Sequence, residues 1–256
     1  MSKLDIVQIP VLHDNYVYLA HDQESQATAV VDPAVADPVF EELDRRGWTL
    51  THILNTHHHF DHVGGNEEIK ARTGCTIVGP RADRDRIPGI DIEVGEGDTY
   101  ALGSAVARVY DVPGHTRGHI AYWFADSDAL FCGDTLFSMG CGRLFEGTAE
   151  TMWPSLQKLM KLPESTRVYC AHEYTAANGA FALSVEPKNP DLQARMAEVE
   201  ALRAKDRPTV PSTLGVELRT NPFLRPMSPE IQASVGLPGG ELVEVFRRTR
   251  NAKDNF

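Results

Sequence analysis

Residues 57–62 carry four histidines and one aspartate: His57, His58, His59, Asp61 and His62. Imidazole and carboxylate groups bind first-row divalent metals at neutral pH. A metal held by them polarises carbonyls and makes hydroxide available. The spacing divides the group. The preceding stretch HILNT (52–56) reads as a strand, and in extended chain residues i and i+2 point the same way. His57 and His59 are therefore expected to meet one ion, with His58 turned to the opposite side. Asp61 and His62 stand just before Gly64-Gly65 and a helix start, where a bend can turn them toward the same place.

Four ligands in one stretch could close a single tetrahedral site, so the rest of the chain matters. His115 follows the apolar run AVARVYDV (105–112) and Pro113-Gly114, Asp134 follows ALFC (129–132) and Gly133, and His172 follows RVYCA (167–171). Each is a ligand type placed just past the end of an apolar strand, at the rim where scaffolds carry their functional groups. Seven candidates exceed what one ion needs. Two ions about 3.5–4 Å apart with a shared carboxylate are the natural division. His13, His21 and His52 have no partner pattern. His58 is expected behind the ligands or in the core, and His119 is expected to hydrogen-bond behind the ligands.

The elements that must position these residues are strands for the first 170 or so residues. YVYLA (16–20), ATAVVD (27–32), CTIVG (75–79) and IAYWFA (120–125) join the runs above; all are short, rich in Val, Ile and aromatics, and bounded by turn residues. Helices are expected over 38–46, 66–72 and 148–162. Beyond about residue 173 no convincing strand follows. Asn189-Pro190 opens a helix, Ser228-Pro229-Glu230 another, and GGELVEVFRRTRNAKDNF a last one.

With 42% hydrophobic and 24% charged residues, the chain has an ordinary soluble composition. A net charge of -11 argues against nonspecific nucleic-acid binding. No apolar stretch approaches a membrane span and no secretory leader is evident, so no membrane partner is expected and the cytoplasm is the expected location. Cys75, Cys132, Cys141 and Cys170 form no CxxC pair and are expected to be buried thiols.

THHHFDHVGGN, PGHTRGH, GDTLF and AHEYT, in that order, resemble the metallo-β-lactamase superfamily. GCGRLFEGT (140–148), TNPFLR (220–225) and the terminal RNAKDNF narrow the resemblance to the glyoxalase II, or hydroxyacylglutathione hydrolase, family over essentially the whole chain. The resemblance implies an α/β fold: a four-layer αββα sandwich over 1–172 and a helical, glutathione-binding domain over 173–256. It implies that His57, His59 and His115 hold one metal, that Asp61, His62 and His172 hold the other, and that Asp134 bridges, with Asp61 and Asp134 as the catalytic carboxylates. Zinc is the first expectation for both ions, with iron and manganese as alternatives. The substrate contacts carried over are Arg143, Phe145, Tyr174, Arg250 and Lys253. Position 143 is often Lys in the family, so Arg keeps the charge. Position 145 is often Tyr, so Phe deletes a hydroxyl.

The reaction this implies is hydrolysis of S-(2-hydroxyacyl)glutathione thioesters such as S-lactoylglutathione, by a metal-bridging hydroxide, in a monomeric enzyme of methylglyoxal detoxification. A thiolate whose conjugate acid has a pKa of about 8.5 leaves without a dedicated acid. Glutathione's two carboxylates need local cations, which Arg143, Arg250 and Lys253 would supply. The main rival is a persulfide dioxygenase-like enzyme of the same superfamily with a single iron. A lactam or lactone hydrolase and a non-catalytic metal-stabilised binding module are more distant.

Overall fold

The computed structural model describes residues 3–256. The chain divides into two compact units, Met1–Val112 with Arg117–Gly133, and Pro113–Thr116 with Asp134–Phe256.

In the first unit, β1 (Asp5–Val11), β2 (Asn15–His21), β3 (Thr28–Val31), β4 (His52–Leu54), β5 (Thr76–Pro80) and β6 (Ile92–Val94) form one sheet in that order. The first three pair antiparallel and β3 through β6 run parallel. The inner parallel strands β3 and β5 carry buried Val and Ile runs, covered on both faces, whereas the edge strand β6 is largely exposed. Two helices follow strands of this sheet: α1 (Asp37–Arg46), which buries Val39 and Leu43, and α3 (Asn66–Thr73), which buries Ile69. Their side chains share one core with Leu19, Val30, Ile53 and Ile77. Four further strands, β7 (Thr99–Leu102), β8 (Ala105–Asp111), β9 (Ile120–Phe124) and β10 (Ala129–Gly133), form an antiparallel meander. In β8 the alternation is plain: Ala105, Ala107 and Val109 are buried, while Val106 and Arg108 are exposed. The meander faces the first sheet. The rings of Tyr18 and Phe131 lie 5.7 Å apart, and the Tyr122 hydroxyl donates to the Asn55 carbonyl at 3.1 Å.

The second unit is mainly helical. It contains a small hairpin of β11 (Leu136–Phe137) and β12 (Gly140–Cys141), then α4 (Ala149–Leu159), β13 (Arg167–Cys170), α5 (Thr175–Val185), α6 (Pro190–Arg203), β14 (Ser212–Thr213), α7 (Leu214–Thr220), α8 (Pro229–Ser234) and α9 (Leu242–Asp254). Asn189 caps α6 by accepting from the amides of Asp191 and Leu192. Met139, Ala182, Leu192, Met196 and Val199 form a core of this unit.

Several elements escape the sequence reading, four of them for plain reasons. β1 carries Gln8 and Pro10 and is largely half-buried, so its apolar pattern is weak. The short α7 carries no helix signal among the sequence motifs. The helix α5, TAANGAFALSV, is apolar nearly all round and shows no periodicity. A two-residue strand, β14, does follow residue 173, pairing Ser212 with Val168. Among the described residues no helix is long and apolar enough to cross a membrane.

Candidate metal centre and substrate cavity

In the first unit the metal-type side chains sit on a loop and one short helix, α2 (Phe60–Val63). Strand alternation does not pair His57 with His59, because β4 ends at Leu54. Asp32, just after β3, holds the chain beyond the strand. Its carboxylate accepts from the Thr56 amide at 2.7 Å and from the Thr56 hydroxyl at 2.6 Å. Two residues then bring His57 Nε2 to 3.2 Å from His59 Nδ1. The bend at the diglycine holds because backbones touch there. A Cβ on Gly64 would lie 2.7 Å from the Ala34 carbonyl oxygen, and one on Gly65 would lie 2.9 Å from that of Pro33.

Asp32 also sets proton positions. His62 Nδ1 donates to it at 3.1 Å. Since the Thr56 hydroxyl proton points to Asp32, the Thr56 oxygen accepts from His57 Nδ1 at 3.1 Å. Both imidazoles are thereby fixed with Nε2 as the lone-pair nitrogen, the form a metal requires. Asp61 is steered separately. The Asn15 side-chain amide, at the start of β2, donates to Asp61 Oδ2 at 2.9 Å, and that oxygen lies 3.6 Å from His62 Nε2. Ligand-type atoms of Asp32, His57 and His62 lie within 4.8 Å of one another. His58 does turn away: its Nδ1 donates to Asp83 at 3.1 Å, and Arg86 donates to its Nε2 at 3.0 Å. His119 stacks on His57 with ring centres 4.5 Å apart, and its Nδ1 donates to the Ile120 carbonyl.

In the second unit, Asp134 lies between two imidazoles. His115 Nε2 is 3.3 Å from Asp134 Oδ2, and His172 Nε2 is 3.3 Å from Asp134 Oδ1. One carboxylate presenting a different oxygen to each of two histidines has the arrangement of a bridging ligand. His115 Nδ1 donates to the Arg143 carbonyl at 2.9 Å, which again leaves Nε2 as the lone-pair atom. Two donors on one tetrahedral ion at about 2.0–2.1 Å stand about 3.3 Å apart. The pairs His57/His59, Asp61/His62, His115/Asp134 and His172/Asp134, at 3.2 to 3.6 Å, fit that spacing. The side chains present therefore suit divalent metal.

His115 and Asp134 also line a cavity of about 430 Å³, with Phe137, Cys141, Arg143, Phe145, Tyr174, Ala177, Asn178 and Lys253. Tyr174 stacks on His172 at 4.7 Å, and Phe145 meets His115 at 5.2 Å. Lys253 donates to the Ala177 carbonyl at 3.2 Å. Its ammonium pKa is lowered by burial and then by Arg250 and Arg143. Burial pushes the Cys141 thiol up to about 11, which removes it as a thiolate nucleophile at neutral pH. Arg250 is placed differently from the other expected substrate contacts. It is 4% exposed, and its guanidinium donates to the Cys141 carbonyl at 2.8 Å and to Asp254 at 3.0 Å.

The cavity's loop depends on residues that carry no motif chemistry. The side-chain amide of Asn221 donates to the carbonyls of Phe137 and Gly140, at 3.1 and 2.9 Å. The buried Glu217 accepts from the Met139 amide at 2.7 Å and from Asn221 at 3.0 Å. Asn178 donates to the Ser138 carbonyl at 3.1 Å. Three helical-region side chains thus grip the β11–β12 hairpin that delivers Cys141, Arg143 and Phe145. Asp32, Asn15, Glu217 and Asn221 are absent from the candidates drawn from sequence. Two signals were available: Asp32 ends an apolar strand just as Asp134 does, and Asn221 stands in the TNPFLR stretch.

The profile of the metallo-β-lactamase superfamily matches residues 12–172, and that of the hydroxyacylglutathione hydrolase C-terminus matches 173–256. Hydroxyacylglutathione hydrolase from Methylococcus capsulatus is 64% identical over 253 residues, 99% of each chain. The one from Rhodospirillum rubrum is 60% identical over 256 residues, the whole of both. The chain belongs to the hydroxyacylglutathione hydrolase family. Among solved structures, ETHE1 from Myxococcus xanthus matches with a TM-score of 0.70 and 25% identity, over 96% of this chain and 90% of that one. The BLEG-1 B3 metallo-β-lactamase matches with 0.66 and 22%, over 86% and 100%. The fold is thus the metallo-β-lactamase fold with the family's helical carboxyl-terminal region. Membership in the hydrolase family, at 50–64% identity to the relatives named for it, favours the hydrolase over the dioxygenase alternative.

Proposed function

We propose that this member of the family hydrolyses S-(2-hydroxyacyl)glutathione thioesters, S-lactoylglutathione among them, to glutathione and a 2-hydroxy acid, as the second step of methylglyoxal detoxification. The observation that carries the reading is the 430 Å³ cavity, in which the metal-type pair His115 and Asp134 shares walls with the cations Arg143 and Lys253. Its volume suits a small-molecule ligand. Two divalent ions, zinc first with iron or manganese as alternatives, are assigned to His57, His59 and His115 and to Asp61, His62 and His172, with Asp134 shared. When bound, they supply a water-derived nucleophile at neutral pH and polarise the thioester carbonyl.

The remaining tasks fall to the chain. Asn15 fixes the Asp61 carboxylate, which orients the attacking water. Asp32 keeps the Nε2 atoms of His57 and His62 unprotonated. Arg143 and Lys253 receive glutathione carboxylates, and the Phe145 and Tyr174 rings flank the acyl-bearing sulfur. The product thiolate, with a conjugate-acid pKa of about 8.5, leaves as the anion. Residues 1–172 carry the hydrolytic chemistry and 173–256 add Tyr174 and Lys253 to the substrate side. All four cysteines are buried thiols outside any disulfide, as suits the reducing cytoplasm.

The test is elemental analysis of the purified protein alongside a thioester hydrolysis assay. Two divalent ions per chain and chelator-sensitive release of glutathione are expected. Hydrolysis that survives complete metal removal would sink the reading; one iron per chain with oxygen consumption would restore the dioxygenase.

A further inference from the structure

The cationic side chains of the cavity loop and of the last helical turn are not equivalent. Arg250 is buried, lies over the Phe223 ring at 4.8 Å, and donates to the Cys141 carbonyl and to Asp254 Oδ1. It braces the loop. Arg143 has 67% of its side chain exposed and lines the cavity. Its Nε stands 3.8 Å from the same Oδ1 of Asp254. One carboxylate oxygen therefore serves two guanidinium groups, one spent on structure and one open to ligand. Lys253 adjoins Asp254 in sequence, lines the same cavity, and is itself under the field of Arg143, Arg250 and Asp254.

We propose that Asp254 is the resident counter-ion of the glutathione subsite, holding Arg143 at the cavity wall until a substrate carboxylate displaces it and taking Arg143 back as product leaves. The inference rests on the reading of Arg143 and Lys253 as carboxylate binders. The physical need is symmetric. Substrate and product glutathione carry the same carboxylates, so any affinity gained by bare cations is gained for both and does nothing for the chemical step. An internal anion that competes for Arg143 lowers both affinities together and keeps the product from lingering.

Asp254→Asn tests this, because the amide oxygen still accepts from Arg250 while the charge is gone. The KM for S-lactoylglutathione and the inhibition constant of free glutathione should each fall about two- to fivefold, the scale of a half-exposed ion pair. In the Arg143→Gln background the same change should have a clearly smaller effect, the part that acts through Lys253. Melting curves for each variant check the fold; Asp254→Ser, with the same expectations, serves if the asparagine variant is unstable. Constants that stay put or rise in a folded variant overturn the counter-ion, as does an equal fall without Arg143. A wild type that fails to hydrolyse the thioester sinks the functional reading instead.

Discussion

The metal-type ligands of the first unit and the substrate cavity of the second are built on opposite plans. His57, His59, Asp61 and His62 come from six consecutive residues, and dedicated partners hold three of them: Thr56 on His57, Asn15 on Asp61 and Asp32 on His62. The cavity's walls come from residues 115 to 253, and its most exposed members, Arg143 and Phe145, sit on a loop gripped from far along the chain. The contrast teaches where each part of the function is stored. On the proposed assignment, metal chemistry resides in side-chain type and short spacing, and substrate recognition in backbone placement secured by ordinary-looking amides.

If the contrast holds, variants on the metal side should lose turnover and metal, and variants on the cavity side should lose affinity. The largest effect is expected for Asp134→Ala in the ligand-type cluster of the second unit, which removes both carboxylate oxygens facing His115 and His172. The rate constant kcat should fall by about a thousandfold or more, with metal content falling alongside in elemental analysis. Asn221→Ala comes next. It leaves the buried carbonyls of Phe137 and Gly140 without their side-chain donor, costing about 2–4 kcal/mol. A lower thermal midpoint and a KM rise that exceeds the kcat loss are expected. An unchanged KM would break the link between the helical grip and the cavity.

Asn15→Ala should weaken metal affinity about 10- to 100-fold in chelator competition, leaving KM nearly unchanged, because Asn15 reaches Asp61 and no cavity residue. The Lys253 pKa is lowered from its ordinary 10.5, so the ammonium that holds a substrate carboxylate is lost earlier as pH rises. A KM–pH profile should climb on the alkaline side below the ordinary lysine range, and Lys253→Arg should move that climb upward. The smallest effect is Phe145→Tyr. It adds one hydroxyl at the cavity rim and should lower KM about two- to tenfold, the range of a single hydrogen bond.

The sequence makes the metal-type residues legible because few residue types bind divalent ions, and strand ends mark where they are displayed. The pairing of His57 with His59 is foreseen from extended chain after a strand; β4 itself ends at Leu54, and Asp32, more than twenty residues earlier, holds Thr56 just before the pair, which the sequence does not announce. The helical region is legible only in outline. Asn189-Pro190 announces α6, but α5 is too evenly apolar to show a period. Asn178, Glu217 and Asn221 act on backbone atoms about 40 to 80 residues away, and nothing in their types or spacing marks that. Arg250 is the instructive case. Its place in a basic tail suggests a ligand contact, and its burial against Phe223 and bond to the Cys141 carbonyl show structural partners that the sequence does not announce.

The grip on the β11–β12 hairpin bears on how this protein could be recombined with its relatives. A chimaera joined at residue 172 would take Asn178, Glu217 and Asn221 from one parent and the backbone they hold from another. Even a small mismatch in hairpin geometry would then move Arg143 and Phe145. If Arg143 and Phe145 contact the substrate as proposed, the heritable unit of substrate preference is the stretch that begins at Asp134, and exchanges meant to transplant specificity should be cut there.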